Sequence, residues 1–142
     1  MDEQILKAEL IRDEGKRNRL YRDTVGKLTG GVGRNFDDVP LSDDEIDLML
    51  SNDIKRACAD LDRKLPWWRK LDPVRQRVLV NMAFNMGIGD ADKGSGLLGF
   101  KNTLAMVQAG DYRGAAKGMR SSKWAKQVGP RAERLATLME TA

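Results

Sequence analysis

Histidine is absent from this 142-residue chain, and that absence closes off several kinds of chemistry. Ser-His-Asp and Cys-His catalysis both need an imidazole to take the nucleophile's proton, and most zinc hydrolases need one as a ligand. Cysteine occurs once, at Cys58, so no intrachain disulfide can form. Cys58 falls within a helical apolar pattern and reads as a small core residue, with no imidazole to activate it. Apolar runs are short: Val78-Leu79-Val80 stops at Asn81, so no membrane-spanning helix is expected. Met1-Asp2-Glu3-Gln4 is acidic and leads into no apolar stretch of the kind a secretory signal carries, so none is expected. Repeats and low-complexity tracts are missing too.

The composition is that of a folded domain. Apolar residues make up 41% and charged residues 32%, which fits one soluble core and argues against disorder. Twenty-five Lys and Arg against 21 Asp and Glu leave a net charge of +4. That balance favours an anionic partner. The cations are spread from Lys7 to Arg134 and form no nucleic-acid motif, so nucleic acid is a weaker candidate than an acidic cell wall or anionic lipid.

The densest run of chemistry is residues 14 to 34. Leu6, Leu10 and Glu14 recur every four positions and share one side of a first helix capped by Asp2 and running to about residue 13. A carboxyl beside a buried leucine line would be half-buried, and desolvation favours the neutral, proton-donating form. Gly15 then releases the chain from the helix. Residues 20–24 and 27–29 read as two short strands around a Val25-Gly26 turn, inside a hairpin region of residues 18–36. Gly30, Gly31 and Gly33 strip side chains from the segment that follows. Spacing alone is equally consistent with a glycine-rich hairpin that carries ordinary surface acids.

Beyond this the chain reads as helical. Ser42-Asp43-Asp44-Glu45 is a capping box, and apolar positions from Ile46 to Leu65 continue a helix until Pro66. Such a helix could link two lobes or belong to a simple bundle. Asp72-Pro73 starts another, Val74 to Met86, apolar around nearly its whole circumference and therefore expected at the centre of a helical lobe. Asn81 and Asn85 interrupt it as polar groups that would need partners if buried. Five glycines mark residues 87–99 as a loop; helices follow over about 100–109, after an Asp111 cap to about 120, after a Ser122 cap, and from Pro130 to about 140. The class is α+β, mostly helical with a small antiparallel sheet early in the chain.

The order Glu14, Tyr21, Asp23-Thr24, Gly26, Thr29, Gly31, Gly33 resembles the catalytic stretch of the phage-type lysozymes, glycoside hydrolase family 24. Asn81 to Gly87, Gly99 to Leu104, Ser122-Lys123-Trp124 and Arg131-Ala132 extend the likeness over almost the whole chain. The resemblance implies a single lysozyme-like domain. A small β lobe of about residues 14–45 and a linking helix of about 43–65 would precede a helical lobe built from 66–142 and the N-terminal helix. It also implies a monomeric endolysin that needs no cofactor or metal. The substrate would be the β-1,4 bond between N-acetylmuramic acid and N-acetylglucosamine in peptidoglycan. Such a protein would wait in the host cytoplasm and insert in no membrane.

By resemblance Glu14 is the acid, and Asp23 with Thr29 holds a water on the opposite face of the sugar, which gives inversion. Asn35, Phe84, Asn85 and Thr103 would line the saccharide groove, and Arg131 would approach the catalytic glutamate. Arg34 stands where the family commonly has a histidine paired with an acid on the linking helix, here Asp53. Gly30 replaces a usual β-branched residue, which predicts a less stable hairpin. A lytic transglycosylase, a non-catalytic wall-binding module and a tail-associated module are the alternatives.

Overall fold

The computed structural model describes residues 1–142. Its helices are α1 (Glu3–Glu14), α2 (Asp43–Lys64), α3 (Pro73–Met86), α4 (Lys101–Ala109), α5 (Tyr112–Arg120), α6 (Lys123–Val128) and α7 (Pro130–Thr141). The strands β1 (Arg17–Arg22), β2 (Leu28–Gly31) and β3 (Arg34–Asn35) lie between α1 and α2. This is the α+β arrangement expected from the sequence. The chain gathers into two compact units, Met1–Met49 and Leu50–Ala142. The N-terminal helix gathers with the sheet, whereas the sequence reading placed it with the helical lobe.

In the first unit Asp2 caps α1 by accepting from the N–H of Ile5, and Gly15 ends it at φ 80°. The helix buries none of its residues, and Leu10 and Ile11 stay exposed. Glu14 is therefore exposed as well, not half-buried. The reason is visible in the sequence: Ile5, Leu6, Leu10 and Ile11 alternate with Lys7, Glu9, Arg12 and Asp13, so no apolar stripe forms.

The three strands form an antiparallel sheet in sequential order. Tyr21 pairs with Thr29 and Arg22 with Leu28, and a bulge lies between Arg17 and Tyr21. β3, which the sequence did not announce, pairs Asn35 with Thr29 and Arg34 with Gly30. Gly30 is buried because two neighbours occupy the space a side chain would need. A Cβ there would lie 2.4 Å from Leu20 Cδ2 and 3.3 Å from Phe36 Cε2. The apparent loss of a β-branched residue is thus filled from β1 and from the residue after β3.

The capping box forms as expected. Ser42 Oγ accepts from the N–H of Glu45 at 3.4 Å, and Glu45 Oε1 accepts from the N–H of Ser42 at 2.8 Å. Glu45 also takes Arg34 in a two-pronged pair, with Nη1 to Oε1 at 2.7 Å and Nη2 to Oε2 at 2.5 Å. Arg34 lies 5.6 Å from the Phe36 ring centre, so the planar guanidinium is held on two sides. The expected partner Asp53 is instead paired with Arg56, one turn along its own helix. Glu45 sits in the first turn of α2, and Asp53 lies eight residues further, about 12 Å along the axis, which explains the exchange.

In the second unit α3 places Val78, Leu79, Met82 and Ala83 in the core beside Leu61, Leu97, Val107, Ala116, Met119 and Met139. Its burial is one-sided, contrary to the expectation of an apolar circumference: Phe84, Asn81, Asn85 and Arg77 are exposed. Arg75 is the exception on the inner side. It is buried, donates from Nε to the Met139 carbonyl at 2.8 Å and from Nη1 to Asp72 Oδ2 at 2.9 Å, and stacks 3.5 Å above the Tyr112 ring centre. One arginine thus joins the start of α3 to α5 and to the last turn of α7. Partial burial pushes the Asp72 carboxyl up, but hydrogen bonds from the Arg75 N–H and guanidinium prevail and hold it below the ordinary range.

Two expectations follow from these ties. Arg75→Met should lower unfolding stability by about 2–4 kcal/mol in denaturant melts, because carbonyls and a carboxylate lose a charged donor, and Arg75→Lys should lose less. The Arg34 guanidinium, with the Ser42 N–H and hydroxyl, holds the Glu45 carboxyl at about 2. A folded pKa below the unfolded value gives stability that is present above the ordinary glutamate pKa and lost as pH falls toward about 2. Stability measured from pH 5 downward should therefore fall less steeply in Glu45→Gln than in the wild type.

Candidate active site

Glu14 is the last residue of α1, and its side chain lies against Gly33. A Cβ on Gly33 would stand 2.9 Å from Glu14 Oε2 and 3.3 Å from its Cδ. Gly33 is also held at φ 66°, in the left-handed region. Both conditions call for glycine. No basic side chain of the same unit forms an ion pair with Glu14.

Asp23 heads the turn between β1 and β2. Its Oδ1 accepts from the N–H groups of Val25 at 3.0 Å and Lys27 at 2.8 Å, while its backbone N–H donates to the Lys27 carbonyl at 2.9 Å. One carboxylate oxygen is consumed in shaping the turn. The other has no protein partner and is available to accept from a water or a hydroxyl. Thr29 is buried on β2 and donates its hydroxyl proton to the Lys27 carbonyl at 3.1 Å, which leaves the oxygen's lone pairs for an incoming donor. The Asp23 turn and the Thr29 hydroxyl thus share the backbone of Lys27. Asn35 spends its amide on the loop after β3, accepting from the N–H groups of Asp37 and Asp38 and donating to Asp38 Oδ2.

The second unit carries the remaining residues picked from the sequence. Phe84, together with Ile54, Cys58, Trp68 and Val80, lines a groove of about 610 Å³ rimmed by Arg77, Asn81 and Arg131. Arg69 stacks 4.5 Å above the Trp68 ring centre and is fixed by Asp62, which also accepts from the indole N–H at 2.7 Å. The guanidinium first, and then the indole, keep the Asp62 carboxyl below its ordinary range. Arg131 donates twice to Asn81 Oδ1, at 3.0 and 2.8 Å. Asn85 accepts from the Trp124 indole N–H at 2.8 Å, and Trp124 meets Phe100 edge-to-face. Thr103 lies apart from these: it is buried where a Cβ on Gly118 would stand 2.5 Å from its hydroxyl oxygen.

Sequence reasoning missed two supports, the Trp124 donor that orients Asn85 and the seat that Gly33 provides for Glu14. An N-cap serine two residues before a tryptophan, and a glycine far along the chain from its acid, give no local signal of either. No three or more Cys, Asp and Glu side chains converge in a way that could hold a metal ion, and no helix is long and apolar enough to cross a membrane.

Comparison with known proteins decides the family. The phage lysozyme family model matches residues 12–140. The chain belongs to the phage lysozyme family. By family it is a glycoside hydrolase, and Glu14, Asp23 and Thr29 all fall within the matched span. The pre-baseplate central spike protein Gp5 of Enterobacteria phage T4 is 31% identical over 94% of this chain, which spans only 27% of that protein's length. Two probable T4-type lysozymes of Dictyostelium discoideum are each 25% identical over 96% of the chain and 94% of their own length.

The geometry of Gly33 sets a paired test. Gly33→Ala and Gly31→Ala both place an alanine at positive φ, at a cost of about 1–2 kcal/mol of stability. Only at Gly33 does the new methyl group meet the Glu14 carboxylate, since the space beside Gly31 is open. Both variants should show similar denaturant midpoints, and turnover of peptidoglycan should fall in Gly33→Ala alone.

Proposed function

We propose that this chain is a muramidase that hydrolyses the β-1,4 bond between N-acetylmuramic acid and N-acetylglucosamine in bacterial peptidoglycan, and that it serves as an endolysin in host lysis. The observation that carries this reading is the family match over residues 12–140, which holds Glu14, Asp23 and Thr29 in order. Two acid-bearing positions on one β-rich unit suit glycoside cleavage, which needs a proton for the leaving oxygen and help for an oxocarbenium-like centre. Glu14, exposed at a helix end, donates the proton. Asp23, with one oxygen free of protein partners, and Thr29, with free lone pairs, hold the attacking water. Attack from the opposite face inverts the anomeric carbon. Asn35, Phe84, Asn85 and Thr103 are the residues assigned to saccharide, and Arg131 is the supporting residue. The net charge of +4 favours approach to an anionic wall. The protein acts as a monomer, held in the host cytoplasm until release.

A tail-associated lysozyme is the second reading, favoured by the 31% identity to the T4 spike protein. Mass spectrometry separates the two: an endolysin is found in infected-cell lysate and is missing from purified particles, whereas a tail component is found in the particles.

Catalysis is checked by turbidity clearing of peptidoglycan. Glu14→Gln keeps the shape of the side chain but has no acidic proton, so turnover should drop by ~10²–10⁴. Asp23→Ala should slow turnover as well, and early NMR spectra should show the α-anomer as the first product. Full activity in Glu14→Gln would exclude the acid assignment, anhydro sugar products would indicate a transglycosylase, and a β-anomer would make Asp23 a nucleophile.

A further inference from the structure

Arg34 and Glu45 have no place in the chemistry described so far, yet they form the tightest side-chain tie in the first unit. The pair is two-pronged, at 2.7 and 2.5 Å, and only about a third of each side chain is exposed. Each partner is further restrained. Glu45 Oε1 also accepts from the Ser42 N–H and hydroxyl at the start of α2, and Arg34 packs over Phe36. Arg34 directly follows Gly33, the residue whose bare backbone receives the Glu14 carboxylate. The turn from Gly31 to Gly33 carries two glycines at positive φ, so little but its flanks limits its motion.

We propose that Arg34 and Glu45 are positioning residues for catalysis: their pair anchors the β2–β3 turn to the start of α2 and so fixes Gly33 as the seat of the Glu14 carboxylate. This rests on the reading of Glu14 as the acid. The physical reason is geometric. A general acid must lie within hydrogen-bond reach of the oxygen it protonates, and a displacement of about 1 Å can cost on the order of 10²-fold in rate. Glu14 has no salt-bridge partner within its unit, so among the contacts inside that unit the Gly33 surface is the one that restrains it. A planar guanidinium suits this task because it stays charged at ordinary pH and holds a carboxylate through two parallel bonds.

The test measures kcat and KM on solubilised peptidoglycan for the wild type, Glu45→Gln, Arg34→Met, Arg34→Lys, the single reversals Arg34→Glu and Glu45→Arg, and the two reversals combined. Assays are run at a temperature where circular dichroism shows each variant fully folded. Glu45→Gln and Arg34→Met should each lose about 3–10-fold in kcat with KM unchanged, since an acid out of place affects turnover and not saccharide affinity. Arg34→Lys, which keeps the charge and most of the fold but loses the fork, should fall between them and the wild type. The exchanged pair should recover kcat relative to either single charge reversal. Wild-type kcat in folded Glu45→Gln or Arg34→Lys would overturn the proposal, as would a loss confined to KM. Glu14→Gln, run alongside, keeps the two readings apart: its full activity removes the acid itself, whereas its inactivity beside fully active Arg34 and Glu45 variants removes only the positioning role.

Discussion

The carboxylate of Glu45 is shared between two consecutive elements, the last strand and the helix after it, and the order of the first unit depends on that sharing. It closes the capping box on Ser42, which starts α2, and it grips Arg34, the first residue of the last strand. A capping box alone satisfies orphan backbone donors at a helix end. Here the same oxygens also bind the short strand β3, whose two residues could not pair stably by themselves. The guanidinium and the Ser42 groups together stabilise the ionised form, which is why the carboxyl sits so far below its usual range.

The hairpin shows a similar economy. Asp23 shapes its turn with one oxygen and leaves the other free, and Lys27 lends its backbone N–H to Asp23 and its carbonyl to Thr29. The same polar groups that define the turn therefore also fix the orientation of the Asp23 carboxylate and the Thr29 hydroxyl. Gly30 adds to this by leaving the space beside it to Leu20 and Phe36, which pack against its backbone. The second unit relies on burial instead. Its core of leucines, methionines and alanines is tied across α3, α5 and α7 by buried Arg75, and Arg120 adds an outer bridge from α5 to Glu133 and Glu140 of α7.

The helical content was readable because its signals are local. Asp2, Asp72, Asp111 and Ser122 all cap the helices that they were expected to cap, since a capping side chain reaches only three residues ahead. The ordered motif from Glu14 to Gly33 was legible for a different reason: many positions matched in a fixed order are improbable by chance, and the family match covers them. Local patterns failed where the answer lay across the chain. A spacing of four placed Leu6, Leu10 and Glu14 on one side of α1 but could not show that nothing covers it, and the apolar count of α3 could not show that Phe84 faces outward.

By itself, then, the sequence determined the class of the fold, the helix starts, the α+β order and the family, because each depends on neighbours within a few residues or on an ordered motif. Only the tertiary structure decided which carboxylate takes Arg34, why Gly30 is tolerated, what Gly33 is for, and that Asn85 is held by Trp124. Those choices depend on distances between residues far apart in the chain. A side chain with several chemically equivalent partners in sequence pairs with the one that folding brings within about 3 Å.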